Sequence, residues 1–157
     1  MFPRHHSTIL DYVYAMNEDL FQLIYTSEAA EGLTESGLEK ILAHSRQKNA
    51  LLDITGILLH SNGRFIQVLE GSCEAVLHLY ERIQADQRHE AVRVFSKRHV
   101  LEREFAEWSM GFRQLSDRDL AAHPKVNDFF SEHFDSSSIG KAGSPAHFLL
   151  LAFRDVA

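Results

Sequence analysis

Cysteine is nearly absent: Cys73 is the single one in 157 residues. It cannot close an internal disulfide, and there is no second thiolate with which to build a structural metal centre. That excludes a disulfide-stapled secreted scaffold and fits a reducing, cytoplasmic setting. A basic excess is missing too, since 16 Lys and Arg face 22 Asp and Glu for a formal net charge of -6. Phosphate backbones and anionic lipids attract clustered cations, so neither nucleic acid nor a membrane surface is expected as a partner. The longest apolar run, Phe148 to Phe153, falls far short of the roughly 20 residues that cross a bilayer. Behind Met1 to His6 the acids Asp11, Glu18 and Asp19 interrupt any signal-peptide core. Ten histidines form no HExxH pattern, there is no CxxC, and neither a GxGxxG nor a P-loop signature occurs. Metal catalysis and a helix-cradled phosphate of those kinds are therefore unsupported, and His5-His6 reads as a solvated end.

What is present suits one soluble globular unit, with 45% hydrophobic and 24% charged residues. Residues 1–19 read as an N-terminal extension, with Ile9, Val13 and Met16 at helical spacing. Phe21 to Ser27 alternates as a strand. A helix follows with the stripe Leu38, Ile41, Leu42 and Ser45, starting at Thr34 as N-cap or at a Ser36…Glu39 capping box and ending near Asn49. Ile54 to His60 and Arg64 to Glu70 flank Ser61-Asn62-Gly63, and an Asn-Gly between apolar runs predicts an antiparallel hairpin. Gly71 is expected to break the second strand and Ser72 to cap a helix striped by Val76, Leu79, Tyr80 and Ile83. Asp86-Gln87-Arg88-His89 closes that helix, and Val92 to His99 and Trp108 to Leu115 complete the strands. The order is α+β and ferredoxin-like: βαββαβ plus a fifth strand. Along the strands Phe21, Leu23, Tyr25, Phe65, Gln67 and Leu69 share one parity, with Ile24, Ile66 and Val68 on the other, so both sheet faces need cover. Two helices cover one face. The tail covers the other, because Asp119 to Phe134 and Ala146 to Phe153 carry helical apolar patterns split by a Ser/Gly stretch.

Three polar residues require partners. Gln67 points mid-strand into an apolar layer, where a primary amide must be hydrogen-bonded. Tyr25 lies on the same face with a hydroxyl that both donates and accepts. Asn49, at the end of the first helix, can face the same space. Satisfying one another accounts for any one of them; all three together favour a polar-edged ligand. Asp86, Arg88 and His89 taken alone read as a solvated helix end, and Trp108, Met110 and Phe112 as one strand face in the core. Glu70 reads as a strand-end acid near a helix start.

Leu23-Ile24-Tyr25-Thr26-Ser27, Asn49, Ile54-Thr55-Gly56-Ile57-Leu58-Leu59, Phe65-Ile66-Gln67-Val68-Leu69-Glu70-Gly71, Asp86-Gln87-Arg88-His89 and Trp108-Ser109-Met110, in this order, resemble the BLUF family of flavin photoreceptors. The resemblance implies a flavin-binding domain over residues 20–115 and a C-terminal helical cap over 116–157. It implies FAD, with FMN as the alternative flavin, held between the two helices against Ile41 and Ile83. Asn49 would meet the ring's polar edge, and Asp86, Arg88 and His89 the ring edge or the phosphate end. Tyr25 would be the electron donor and Gln67 the proton relay that then rests in a new orientation or tautomer, shifting absorption to the red. Trp108 and Met110 would carry the change to the tail, and output would run through a partner protein or a homo-oligomer, since residues 116–157 are too few for a catalytic output domain. The competing expectations are a flavin-dependent oxidoreductase and a ligand-free ferredoxin-like interaction module. Colour separates the last from the rest.

Overall fold

The computed structural model describes residues 19–131 and 144–155. The helical pattern of Ile9, Val13 and Met16, and the stretch 136–143, lie outside them. The chain runs β1 (Leu20–Ala29), α1 (Glu35–Leu52), β2 (Thr55–Ser61), β3 (Arg64–Ser72), α2 (Cys73–Ala85), β4 (His89–His99), β5 (Gly111–Gln114), α3 (Asp117–Ala122), α4 (Pro124–Phe129) and α5 (Pro145–Asp155). The five strands form one mixed sheet in the order β4-β1-β3-β2-β5. All neighbours are antiparallel except β2 and β5. This is the ferredoxin-like α+β arrangement with a fifth strand added at one edge.

Local chemistry explains most element boundaries. Asn62 and Gly63 both have positive φ, 50° and 78°, the geometry of the type I′ turn whose twist matches a two-stranded ribbon. Thr34 caps α1, its hydroxyl accepting from Gly37 N at 3.0 Å, and Ser72 caps α2 by accepting from Ala75 N at 3.2 Å. The far end of α1 departs from expectation. The last buried residue is Asn49, yet the helix runs on to Leu52 because Asp53 adopts a left-handed conformation and its N–H returns to Asn49 O. Capping, not the end of the apolar stripe, sets that terminus.

Three further expectations are corrected. Gly71 does not end β3: it pairs with Phe21, and Ser72 pairs with Leu20. The last strand does not begin at Trp108, for only Gly111–Gln114 pairs with β2. The 119–134 pattern, described as far as residue 131, is broken in two. It folds as α3, opened by a reciprocal Ser116–Asp119 capping box, and α4, which restarts at Pro124, where proline's missing N–H is no loss.

The two strand faces pack separately. Phe21, Leu23, Tyr25, Phe65 and Leu69 lie against Leu42 of α1 and Val76 and Tyr80 of α2. On the other face Ile24, Ile57, Leu59, Ile66 and Val68 lie against Leu120, Val126 and Phe129 and, from α5, Ala146, Leu149, Ala152 and Phe153. Fully burying a Leu or Phe stabilises by about 1.5–3 kcal/mol, so the C-terminal helices are integral to this second core. No helix among the described residues is long and apolar enough to cross a membrane.

Candidate functional site

β1 and β3 pair so that Tyr25 lies directly opposite Gln67. Both side chains therefore leave the sheet on the α1/α2 face. Tyr25 is 1% exposed and Gln67 7%, so both must find partners inside the protein. The Tyr25 hydroxyl donates to Gln67 Oε1, and Gln67 Nε2 donates to Met110 Sδ at 3.2 Å. Burial, with help from Tyr80 and Asp86, pushes the Tyr25 phenol well above its ordinary pKa. The hydroxyl therefore keeps its proton and remains a donor.

These groups form one wall of a cavity of about 230 Å³ between α1 and α2. Ile41 and Leu42 line it from α1, Leu79 and Ile83 from α2, and Leu58 from the sheet floor. Asn49 enters from the last turns of α1, 2% exposed, and donates through Nδ2 to Ser109 O at 2.9 Å. It does not bond to Tyr25 or Gln67, so the three polar residues do not simply satisfy one another. Asp86, Arg88 and His89 also line the cavity. Arg88 forks onto Asp86 with N···O distances of 2.5–3.0 Å, and its hydrogen bond holds the Asp86 carboxyl below the usual range. His89 Nδ1 meets Ser27 Oγ at 3.2 Å. Burial lowers the His89 pKa against the opposing pull of Asp86.

Sequence reasoning missed Lys48, Arg82, His44 and Leu58, which share this lining. A signal for two of them was available. Lys48 follows Ile41 and His44 by seven and four residues, and Arg82 follows Leu79 by three, so each lies on the cavity side of its helix. With Arg88 they set cations around a slot also lined by aliphatic side chains, by the polar groups of Tyr25, Asn49 and Gln67, and by Asp86. Such a donor set fits a flat, polar-edged ring with a phosphate-bearing tail: aliphatic side chains above and below, amides at the inner edge, cations at the rim.

Trp108 is not part of this cavity. It and Met110 were expected on one strand face, yet they lie on opposite sides of the sheet. Met110 packs in the Tyr25 layer, whereas Trp108 packs beside Phe105 and Phe153 in the other core. Strand alternation fails because residues 101–110 are an irregular loop held by groups distant in the chain. Arg46 Nε donates to Met110 O at 2.9 Å, Asn49 holds Ser109 O, and Gly56 N donates to Trp108 O at 2.9 Å. The near end of the loop is held by Glu70, which is completely buried and so not a plain strand-end acid. Its Oε1 accepts from Phe105 N at 2.7 Å and its Oε2 from Glu104 N at 2.9 Å and Gln22 Nε2 at 3.1 Å.

A family model described as BLUF, sensors of blue-light using FAD, matches residues 20–111. The photoactivated adenylate cyclase subunit beta of Euglena gracilis is 36% identical over 114 residues, 72% of this chain and 13% of that protein. Its counterpart in Euglena longa is 35% identical over the same shares. The chain thus spans about an eighth of the length of these curated relatives. Among solved structures, the dark state of the BLUF protein BlrB superposes with a TM-score of 0.68 at 27% identity, covering 86% of this chain and 96% of that one. BlrP1 of Klebsiella pneumoniae, solved with FMN and cyclic diGMP, superposes with a TM-score of 0.60 at 31% identity, covering 76% of this chain and 34% of that one.

Proposed function

The chain belongs to the BLUF family of flavin-binding blue-light sensors, and from that premise we propose that it is a photoreceptor whose light chemistry runs through Tyr25 and Gln67 and whose output runs through the C-terminal helices. The observation that carries the reading is the buried chain Tyr25 OH → Gln67 Oε1, Gln67 Nε2 → Met110 Sδ along one wall of the α1/α2 cavity.

Ile41 and Ile83 would hold the flavin's ring system from the two helices, Asn49 and Gln67 would meet its polar edge, and Lys48, Arg82 and Arg88 would take its phosphates. That cationic rim supports FAD, with FMN as the alternative. Bound flavin supplies blue-light absorption and a strongly oxidising excited state. The chain's own residues do the rest. Tyr25, kept neutral by burial, is the oxidisable group, and its hydroxyl proton has one acceptor, Gln67 Oε1. The electron and the proton then return to Tyr25, and what remains changed is the Gln67 amide, left with its ends exchanged or in its other tautomer. After an exchange of ends, Nε2 faces the phenol oxygen, which can accept. Oε1 then faces Met110 Sδ, which has no hydrogen to donate. A Tyr25–Gln67 hydrogen bond persists with its direction reversed, the phenol proton gives up its former acceptor, and the N–H···S bond to Met110 is lost. A light-driven change in one amide thus becomes a change in what holds the 101–110 loop. Two discrete arrangements of a packed segment, not a graded deformation, are what a switch requires.

The relatives named above carry adenylate cyclase in their names, and by analogy the partner of this sensor is a signalling protein, with a homo-oligomer as the assembly that meets it. Sensing, and not turnover, is the role proposed for residues 20–115. The test is an absorption spectrum before and after blue light. The expected result is a yellow protein whose flavin bands move reversibly to the red by a small amount. A protein that stays colourless after incubation with FAD and with FMN overturns the reading. Turnover of a substrate without a photocycle replaces it with a flavin oxidoreductase.

A further inference from the structure

Met110 and Gly111 are consecutive but face opposite sides of the sheet. The Met110 sulfur lies in the cavity layer, bonded to Gln67. Gly111 opens β5 and turns its bare Cα toward the other core, opposite Ile57. A Cβ placed at Gly111 would come within 2.5 Å of Phe153 Cζ, 2.9 Å of Phe153 Cε2 and 3.2 Å of Ile57 Cγ2. The first two distances are far inside van der Waals contact, so the Phe153 ring occupies the volume a side chain would take. That ring is 1% exposed. It is held on its other sides by Trp108, with centroids 4.8 Å apart and an interplanar angle of 65°, and by the Arg113 guanidinium 4.3 Å from its centroid. Phe153 belongs to α5, whose buried face is Ala146, Leu149, Ala152 and Phe153.

We infer that Gly111 and Phe153 form the coupling joint of the receptor: the ring of Phe153, seated on the bare backbone of Gly111, converts a shift of Met110 on the flavin face into a shift of α5 on the opposite face. The inference rests on the proposed light-driven loss of the Gln67–Met110 bond. Its physical basis is the absence of slack. A backbone displacement at Met110 passes through one peptide unit to Gly111, where no side chain can rotate to absorb it. The ring in contact is clamped between an indole and a guanidinium. Close-packed interiors transmit such a displacement and do not damp it. Neither Gly111 nor Phe153 lines the cavity; they are positioning residues for output.

The experiment measures deuterium uptake of residues 145–155, dark against lit, together with the absorption red shift of the same samples. It uses full-length wild type, Gly111→Ala, Phe153→Leu and the double variant. In the wild type, light is expected to change uptake in 145–155. Gly111→Ala forces the ring out of its seat, so dark-state uptake there should rise about tenfold and the light-dependent difference should disappear while the red shift persists. Phe153→Leu lacks Cζ and Cε2, so α5 should stay protected but respond to light less than half as strongly. The double variant gives the added methyl the room the ring occupied, and it should recover protection relative to Gly111→Ala. That recovery distinguishes a fitted contact from simple additive damage. Should Gly111→Ala not fold, Phe153→Leu still decides, because it lies across the sheet from the cavity. A full light response in Phe153→Leu, or a double variant no better protected than Gly111→Ala, overturns the joint. A wild type with a red shift but no change in 145–155 overturns the tail-output reading and the joint with it. A wild-type response matched by an equal one in Gly111→Ala removes the joint alone.

Discussion

Gln67 and Glu70 lie three residues apart on β3 and serve opposite ends of the same loop. Gln67 offers an amide with two unlike ends, one accepting from Tyr25 and one donating to Met110, and so can switch. Glu70 offers two like ends, both accepting, and so can only hold. This difference yields two predictions. Tyr25→Phe and Gln67→Ala should each retain flavin but abolish the red-shifted state, since in the proposed mechanism one removes the oxidisable hydroxyl and the other the relay amide. Light-minus-dark absorption spectra check this, and a normal photocycle in either variant contradicts the assigned role. Glu70→Gln keeps size and shape but turns an NH₂ group toward N–H donors from Glu104, Phe105 or Gln22, leaving at least one buried donor unmet. The expected cost is about 1–3 kcal/mol of stability, seen as a lower midpoint in thermal or urea unfolding. An unchanged midpoint would mean that Glu70 does not anchor the loop. The buried Glu70 also binds its proton more readily than an exposed carboxyl, burial being the dominant cause.

At the scale of elements, the carboxyl end of α2 is the part of the site whose role is least obvious from its own geometry. Arg88 and Asp86 form an ion pair only two residues apart, with the Arg88 side chain 48% exposed, and such a pair is worth little to stability. In the proposed reading their position on the cavity wall gives them a different value. An arginine already oriented by Asp86 meets a phosphate at low entropic cost, and His89, tied to Ser27, fills the floor beside Phe65 with ring centroids 5.7 Å apart. Arg88→Ala combined with His89→Ala is therefore expected to weaken flavin affinity by roughly tenfold or more, the effect of losing a charge-assisted hydrogen bond. The photocycle of the flavin that remains bound should be largely unaffected. Fluorescence titration of apoprotein with FAD checks the affinity. An unchanged affinity returns the pair to the ordinary role of capping a helix end.

For the molecule as a whole, one core cluster draws on both sides of residue 115: six strand residues of the sheet, Phe95 of β4 among them, pack against α3, α4 and α5. Removing residues 116–157 should thus expose Ile24, Ile57, Leu59, Ile66 and Val68 together, an apolar face that a soluble sheet does not tolerate. The expected result is loss of soluble protein or strong light scattering. A monodisperse truncated chain would show that the sheet does not depend on the tail. Much of this architecture was legible in the sequence because it is local. Period-two alternation is a property of extended backbone, and it placed Tyr25 and Gln67 on one face and Ile24, Ile66 and Val68 on the other. Asn62-Gly63 made its own turn, and Thr34 and Ser72 capped their own helices. Lys48 and Arg82 were readable from helical spacing once the cavity side was known. The loop before β5 was not. Its path is set by Arg46, Asn49, Gly56 and Glu70, contacts 34 to 64 residues away in the chain for the side chains involved, and no local pattern encodes such bonds. Extrapolating strand parity through 108–112 therefore put Trp108 beside Met110. Alternation decides which way a side chain points only where a neighbouring strand holds the backbone extended. Where distant groups hold it, the tertiary structure alone decides, and here it sets the cavity contact and the tail contact on opposite sides of the sheet.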